Sequence, residues 1–374
     1  MGVRSVLEGL VNVRGASAPL FVDFFIKNHY TKVRTLIAYP CIKTIAYRRW
    51  HVTKHDLRGR NVLVTGATGL VGGHLTEKLI AMGAHVHITC RASNPWSYFA
   101  GKKLGDHVVS ATCDIKDAQR VLDVVTRYEI EHIFHVAAQP IVNTAFVNPR
   151  ETLETNIMGT VNVLEAARRS TMVKGVVVAS SDKAYGKKCD NATEDAPMAG
   201  DHPYDVSKSC TDLIARTYAK TYGLPVAVSR FGNIYGPGDL NLNRIVPGIM
   251  RATWCCEPLE LRSDGQFVRD YVYVKDVADG YVALMEQMDI SKGEAFNFST
   301  GYNFTVIELI DAIAKTLKRK CEYVIRSTQK NEIPSQSLSF EKATSILGWR
   351  SQYTFEEGIE YTSMWYRKYF KMER

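Results

Sequence analysis

The 374-residue chain is 45% hydrophobic and 23% charged, enough apolar material for a sizeable core, which excludes an extended or disordered polypeptide. Its net charge of +8 lies almost wholly in residues 1–60, where eleven Lys/Arg face three acids; the rest balances at 36 of each sign, so no nucleic-acid partner is expected. The eight cysteines form no CxxC pair and read as reduced cytoplasmic thiols, and no uncharged apolar run reaches the roughly 18 residues of a membrane span.

Residues 1–58 precede any recognisable folding unit and mix aromatic with basic residues. This extension reads either as an amphipathic helix lying on a membrane surface or against another protein, or as an accessory segment folded onto the body. An organellar leader is a third reading. Secretion is not expected, because 1–20 lacks a continuous apolar core followed by a small-residue cleavage site. N-myristoylation is not expected either, since Val6 occupies the required hydroxyl position and Ser5 stands one place early.

From Arg60 the chain alternates short apolar runs with helical patterns: NVLVTG, a helix to Met82, HVHITC, HVVSATC, a helix to Tyr128, HIFHVAA, a helix to Arg169, VVVAS, a helix to Tyr222, then VAVSRF. Strand and helix in repetition predict an α/β fold with a doubly wound parallel sheet. After Phe231 the alternation dissolves into loops rich in Gly, Pro and Asn, predicting a smaller lobe. The expected division is a 1–58 extension, a dinucleotide-binding Rossmann domain over 59–231, and a smaller α/β substrate-binding lobe over 232–374 with some return to the first domain.

The first strand runs into TGATGLVGGHL, which places Gly66, Gly69 and Gly72 between a strand and a helix. Glycine there lets backbone approach a pyrophosphate while the helix offers unpaired N–H groups, so a dinucleotide is expected. The second strand ends in Cys90-Arg91 with no acid to accept from an adenosine ribose, and Arg91 leans toward the 2′-phosphate of NADP. Asp114 after the third strand reads either as a contact to the adenine edge or as a helix cap.

Further on, VVVASSDK ends a buried-looking strand on two hydroxyls, a carboxylate and an amine, and YDVSK follows. In a helix the Tyr204-x-x-x-Lys208 spacing puts phenol and ammonium on one face, where a cation brings the phenol into the range of a working base.

Cradle, Ser-ended strand and Tyr-Lys pair together resemble the extended short-chain dehydrogenase/reductases that act on nucleotide sugars. The resemblance runs from about Arg60 to Tyr369 through HVAAQ, TNIMGTVNVLEAAR, RFGNIYGPG, FVRDYVYVKDV, GEAFNFSTG and LGW. It implies a tightly bound NAD or NADP held by Gly66, Thr68, Gly69, Leu70, Val71, Gly72, Arg91, Asp114, Ile115, Ala137, Ala138, Asn156, Tyr204 and Lys208. It also implies a nucleotide-diphosphate sugar held by Gln139, Asn233, Arg244 and Arg269, with Arg262 and Asp239 less firmly placed. A homodimer built on the helices from Thr155 and Tyr204 is implied as well, and no metal.

Within that group the residue after Ser181 separates reactions. The 4-epimerases follow the serine with small neutral residues, whereas the 4,6-dehydratases place an acid there, as Asp182 stands here. The Asp182-Lys183 pair and the segment GPGDLNLNRIVPGIMRA look most like the CDP-glucose 4,6-dehydratases, although FVRDYVYVKDV keeps the generic nucleotide-sugar form and leaves the base open. The implied reaction oxidises C4 with Tyr204 as base and Ser181 on the same oxygen, loses water across C5–C6 with Asp182 as acid, and returns hydride to C6, giving a 4-keto-6-deoxy sugar of the kind used in deoxysugar biosynthesis. Lys183 serves as the C5 base, stabilises the enolate, or merely pairs with Asp182. A 4-epimerase and a non-catalytic NAD(P)-binding module are the alternatives.

Overall fold

A computed structural model describes residues 55–92, 94–187, 189–327 and 334–372, together with two strands of the N-terminal extension. Those strands, β1 (Leu20–Phe25) and β2 (Lys32–Ile37), pair antiparallel in a unit of their own. LFVDFF and KVRTLI are rich in aromatic and β-branched residues, which favour extended backbone over the amphipathic helix that was one reading of this segment. The remainder of 1–54 lies outside the described residues.

The body begins with β3 (Asn61–Thr65) and α1 (Leu70–Ala81), then β4 (His85–Cys90), β5 (Val109–Thr112), α2 (Ala118–Arg127) and β6 (His132–His135). It continues through α3 (Gly159–Arg169), β7 (Gly175–Ala179), β8 (Cys189–Ala192), α4 (Pro203–Tyr222) and β9 (Val226–Phe231). A late strand, β13 (Ala295–Phe298), pairs with β9, so the sheet order is β13-β9-β7-β6-β3-β4-β5, parallel throughout. Strands buried on both faces read as unbroken apolar runs, which is why GVVVA lacks alternation; in VAVSRF the polar Ser229 and Arg230 are fully buried as well. Alternate side chains feed two cores: Val62 and Val64 pack with Leu75, Leu79 and Met285, while Leu63 packs with Val125, Val163 and Ala215.

Chain order runs outward from β3 to β4 and β5, then returns to β6 on the opposite side of β3. The reversal opens a crevice past the carboxyl ends of β3 and β6, the place where such sheets bind ligands. Beyond β9, the strands β10 (Asn233–Tyr235), β12 (Val268–Tyr273) and β16 (Ser335–Leu338) join β8 in a second sheet, with β14 (Asn303–Thr305) antiparallel on β12. β11 (Leu259–Leu261) pairs separately with β15 (Tyr323–Ile325). A third apolar core, including Ile249, Ile310, Ile359 and Tyr366, binds these strands to the later helices. No helix among the described residues is long and apolar enough to cross a membrane.

Candidate active site

The turn between β3 and α1 admits no side chain at two points. Gly66 has φ of 75°, and a Cβ there would lie 2.7 Å from the Ala137 Cα; a Cβ on Gly72 would lie 2.1 Å from the Gly66 carbonyl oxygen. The close approach lays the first turn of α1 directly under the loop, and Gly69 caps that helix without a side-chain hydrogen bond. Its N-terminal amides and positive dipole end are thereby offered to an anion.

Beneath the cradle a buried relay fixes β6 to β3. The Thr160 hydroxyl donates to the Asn156 carbonyl at 2.6 Å, so at 3.1 Å it accepts from Nε2–H of His135; Nδ1 then accepts from the Thr65 hydroxyl at 2.8 Å. Burial, with the nearby Lys208 charge, lowers His135 to about 3 and keeps it neutral. Thr65 in turn accepts from the Ala137 amide at 3.2 Å, holding the loop that carries Ala137 and Ala138 over the crevice.

At the end of β7, Ser181 caps a short 3-10 turn, Asp182–Tyr185, by accepting from the Lys183 amide at 3.2 Å. Its hydroxyl donates to Asp182 Oδ1 at 2.8 Å. Asp182 is only 2% exposed, and its Oδ2 accepts from Lys183 Nζ at 3.4 Å. That ammonium also donates to Gln336 Oε1 on β16. Across the crevice α4 begins with Pro203 in its first turn and delivers Tyr204, with Lys208 one turn on. Burial pushes the Tyr204 phenol well above its ordinary value, and the Asp182 charge adds to this while Ser181 works against it. Lys208 donates to the Ala179 carbonyl at 2.7 Å, and burial lowers it to about 8.

One cavity of about 1500 Å³ collects most of the residues singled out by sequence. Gly66, Thr68, Gly69, Leu70, Val71, Gly72, Arg91, Ile115, Ala137 and Ala138 line one end, Ser181, Asp182, Lys183, Tyr204 and Lys208 its middle, and Asn233, Asp239, Arg244, Arg262 and Arg269 also line it. Arg244 is braced by Asp239 Oδ2 at 2.8 Å and by the Ile234 carbonyl at 2.8 Å, and Arg269 donates to the Val268 carbonyl at 2.8 Å. Arg91 lies 3.6 Å from Asp114 and 3.9 Å from Glu151, so its charge is shared with two carboxylates.

Three expected contacts fall outside that lining. Gln139 spends its amide group on Thr152 Oγ1 at 2.7 Å and on the Ile141 carbonyl at 3.1 Å, while its oxygen accepts from the Ile141 amide at 2.7 Å; the side chain braces its own loop and does not line the cavity. Asn156 is buried in a π-helical turn, Glu154–Met158, and ties the Gln139 backbone to Ser207 at 2.9 Å, so it joins the loop to α4 from below. Asp114 accepts from the Lys116 amide at 2.9 Å and reaches the cavity only through Arg91. Sequence reasoning missed Gln336, which stands 153 residues after Lys183. It also missed the buried Arg230, which holds Asp212 of α4 at 2.7 and 2.9 Å and touches the Tyr185 hydroxyl of the active turn.

A family model described as GDP-mannose 4,6 dehydratase matches residues 63–362. The chain is 28% identical over 343 residues to the CDP-glucose 4,6-dehydratase of Salmonella typhimurium, a match spanning 86% of this chain and 94% of that one. Among solved structures it is similar to a UDP-glucose 4-epimerase from Thermotoga maritima with UDP-glucose, with a TM-score of 0.77 and 28% identity over 83% of this chain and 99% of that one. It is likewise similar to a dTDP-glucose 4,6-dehydratase from Streptomyces venezuelae with NAD and TYD bound, with a TM-score of 0.76 and 28% identity over 83% and 98% of the two chains.

Proposed function

Because this chain belongs to the GDP-mannose 4,6-dehydratase family, we propose that it removes water from a nucleotide-diphosphate hexose to give a 4-keto-6-deoxy sugar. The observation that carries the reading is Asp182, a buried acid hydrogen-bonded to Ser181 and lining the same cavity as Tyr204 and Lys208. A hydride shuttle at C4 alone needs the phenol and the hydroxyl; water loss needs an acid as well. Residues 59–231 supply the cradle and these groups, and 232–374 supply the arginines suited to a diphosphate.

The Gly66–Gly72 turn fits a dinucleotide, since glycine at both ends lets the loop close on the Ala137 backbone and on the first turn of α1, which leaves helix N-terminal amides to face a pyrophosphate. Bound there, NAD or NADP supplies a reversible hydride acceptor. Tyr204 takes the proton from the sugar 4-hydroxyl, Ser181 hydrogen-bonds the same oxygen, and Lys208 favours the phenolate by its charge. The 4-ketone acidifies the C5 hydrogen: with the pair's proton passed from Lys183 to Asp182, the Lys183 amine takes the C5 proton while Asp182 gives its own to the departing 6-hydroxyl, which leaves as water and restores the charged pair. Lys183 is assigned as the charge partner of Asp182, since its Nζ donates to that carboxylate and to Gln336.

Purified protein incubated with a panel of nucleotide hexoses should yield a product lighter by one water, read by mass spectrometry. An isomer of unchanged mass would favour 4-epimerisation, and an inert panel a binding module. For the cofactor, Arg91→Ala should weaken NADP by about tenfold, the worth of one charge-assisted contact, and leave NAD within about twofold, as titration calorimetry would read. Equal losses for both would remove Arg91 from cofactor selection.

The protein is further proposed to act in the cytoplasm as a homodimer. Cys90, Cys113, Cys210, Cys255, Cys256 and Cys321 are all free among the described residues, and Met158 and Leu213 expose apolar side chains beside α3 and on α4. A membrane surface or another protein is the partner proposed for residues 1–58.

A further inference from the structure

We infer that Gln336 is a positioning residue for the proposed water loss, holding the Lys183 ammonium against Asp182 from β16 without adding charge. The inference rests on the dehydratase reading of the same site. Gln336 is fully buried and does not line the cavity, so its contact with Lys183 is not a by-product of facing a ligand. Its Oε1 accepts from Lys183 Nζ, while its Nε2 is buried with no hydrogen-bond partner among the described residues. Native structures seldom leave a buried donor unpaired, and here the orphan is the consequence of turning the oxygen to the ammonium.

The surrounding charges explain a carboxamide in place of a carboxylate. Asp182 shares the turn with Lys183, α4 brings Asp205 and Tyr204, and β12 brings Asp270. β8 adds Asp190, which is exposed and held by the Ser337 hydroxyl at 3.0 Å, and Lys187 is paired with Asp201 at 2.9 Å. Burial lifts Asp205 to about 6, with Lys183 opposing and Asp182 adding to the rise; burial lifts Asp270 to about 7, with Asp182 again contributing. Lys183 therefore already offsets two buried carboxyl groups, Asp182 and Asp205, and Asp182 bears on a third, Asp270. A fourth would hold a further proton in the cluster at neutral pH, whereas a carboxamide provides the same acceptor geometry with no charge.

Two variants separate the geometry from the charge. Gln336→Glu keeps the shape and adds a negative charge, so the kcat profile should move to higher pH by about one unit, the effect of a like charge close by. Gln336→Leu removes the acceptor: kcat should fall roughly tenfold with KM within about twofold, because the side chain touches no part of the cavity. Without any substrate, acetylation of Lys183 by acetic anhydride, read by peptide mass spectrometry, should rise about threefold in Gln336→Leu as the amine loses its tether. An unmoved pH profile in Gln336→Glu, or unchanged labelling in Gln336→Leu, would overturn the assignment. A wild-type protein that removes water from no hexose overturns the dehydratase reading instead, and the labelling experiment still tests the tether.

Discussion

Tyr204→Phe is expected to lower kcat/KM for the nucleotide hexose by roughly 10³-fold while dinucleotide affinity stays within about twofold. The phenol is the group on α4 proposed to accept the 4-hydroxyl proton, and phenylalanine keeps its ring against the cavity wall while removing only that acceptor. The cradle at Gly66–Gly72 is built from backbone and a helix end, so binding there does not depend on the hydroxyl. Stability should hardly change: burial already disfavours the ionised phenol, and the variant removes a polar atom from a partly buried position. Transient-state mixing, with titration of the dinucleotide, checks both halves. A variant that retains a tenth of the activity would assign the proton transfer to another group, with Ser181 the nearest alternative.

The pH dependence of the native enzyme follows from Lys208. Burial lowers it to about 8, so the ammonium is present below that value and lost as pH rises through it. If its charge favours the Tyr204 phenolate, the kcat/KM profile should descend above about 8, and Lys208→Arg, which cannot lose its charge, should remove that descent.

How much was legible in the sequence depended on the range of the interaction. GVVVA announced a buried parallel strand because burial on both faces favours an unbroken apolar run, whereas VAVSRF carries Ser229 and Arg230 into full burial, and only the Asp212 partner from α4 explains the arginine. Gly66 and Gly72 announced the cradle because a left-handed φ at the first and the close backbone of Gly66 and Ala67 at the second select glycine locally. Ser181, Asp182 and Lys183 lie on one turn, and Tyr204 and Lys208 on one helix face, so their spacing carried the signal. Gln139 and Asn156 matched a motif, yet the Gln139 side chain ties its loop to Thr152, the Asn156 side chain ties that loop to α4, and neither lines the cavity. No spacing distinguishes a residue that touches a ligand from one that braces the residue that does. Gln336 had no local signal at all: its role is created when β16 packs beside β8 and the active turn, a consequence of tertiary pairing across 153 residues. The strands at 20–25 and 32–37 were not anticipated: mixed aromatic and basic residues suggested an amphipathic helix or an accessory segment, and no alternation marked them as extended.

Asp182→Asn separates the two halves of the reaction. Asparagine is nearly isosteric: its one oxygen can accept from the Lys183 ammonium while the Ser181 hydroxyl turns to accept from its amide N–H, so the turn at 182–185 should keep its shape. It has no proton to give to the leaving 6-hydroxyl. Water loss should therefore fall by roughly 10²- to 10⁴-fold, the usual worth of a general acid, whereas oxidation at C4 continues. The 4-ketohexose should then accumulate with its 6-hydroxyl intact. Quenching with borodeuteride would place deuterium at C4 of a sugar that has lost no water, a product the native enzyme should give only in traces. Removing one carboxylate also leaves the Lys183 ammonium facing fewer acids, and Asp205 and Asp270, still raised by burial, lose the further rise that the Asp182 charge gives them. Dehydration at the native rate in this variant would show that the proton comes from elsewhere, and the argument from Asp182 to a 4,6-dehydratase would fail with it.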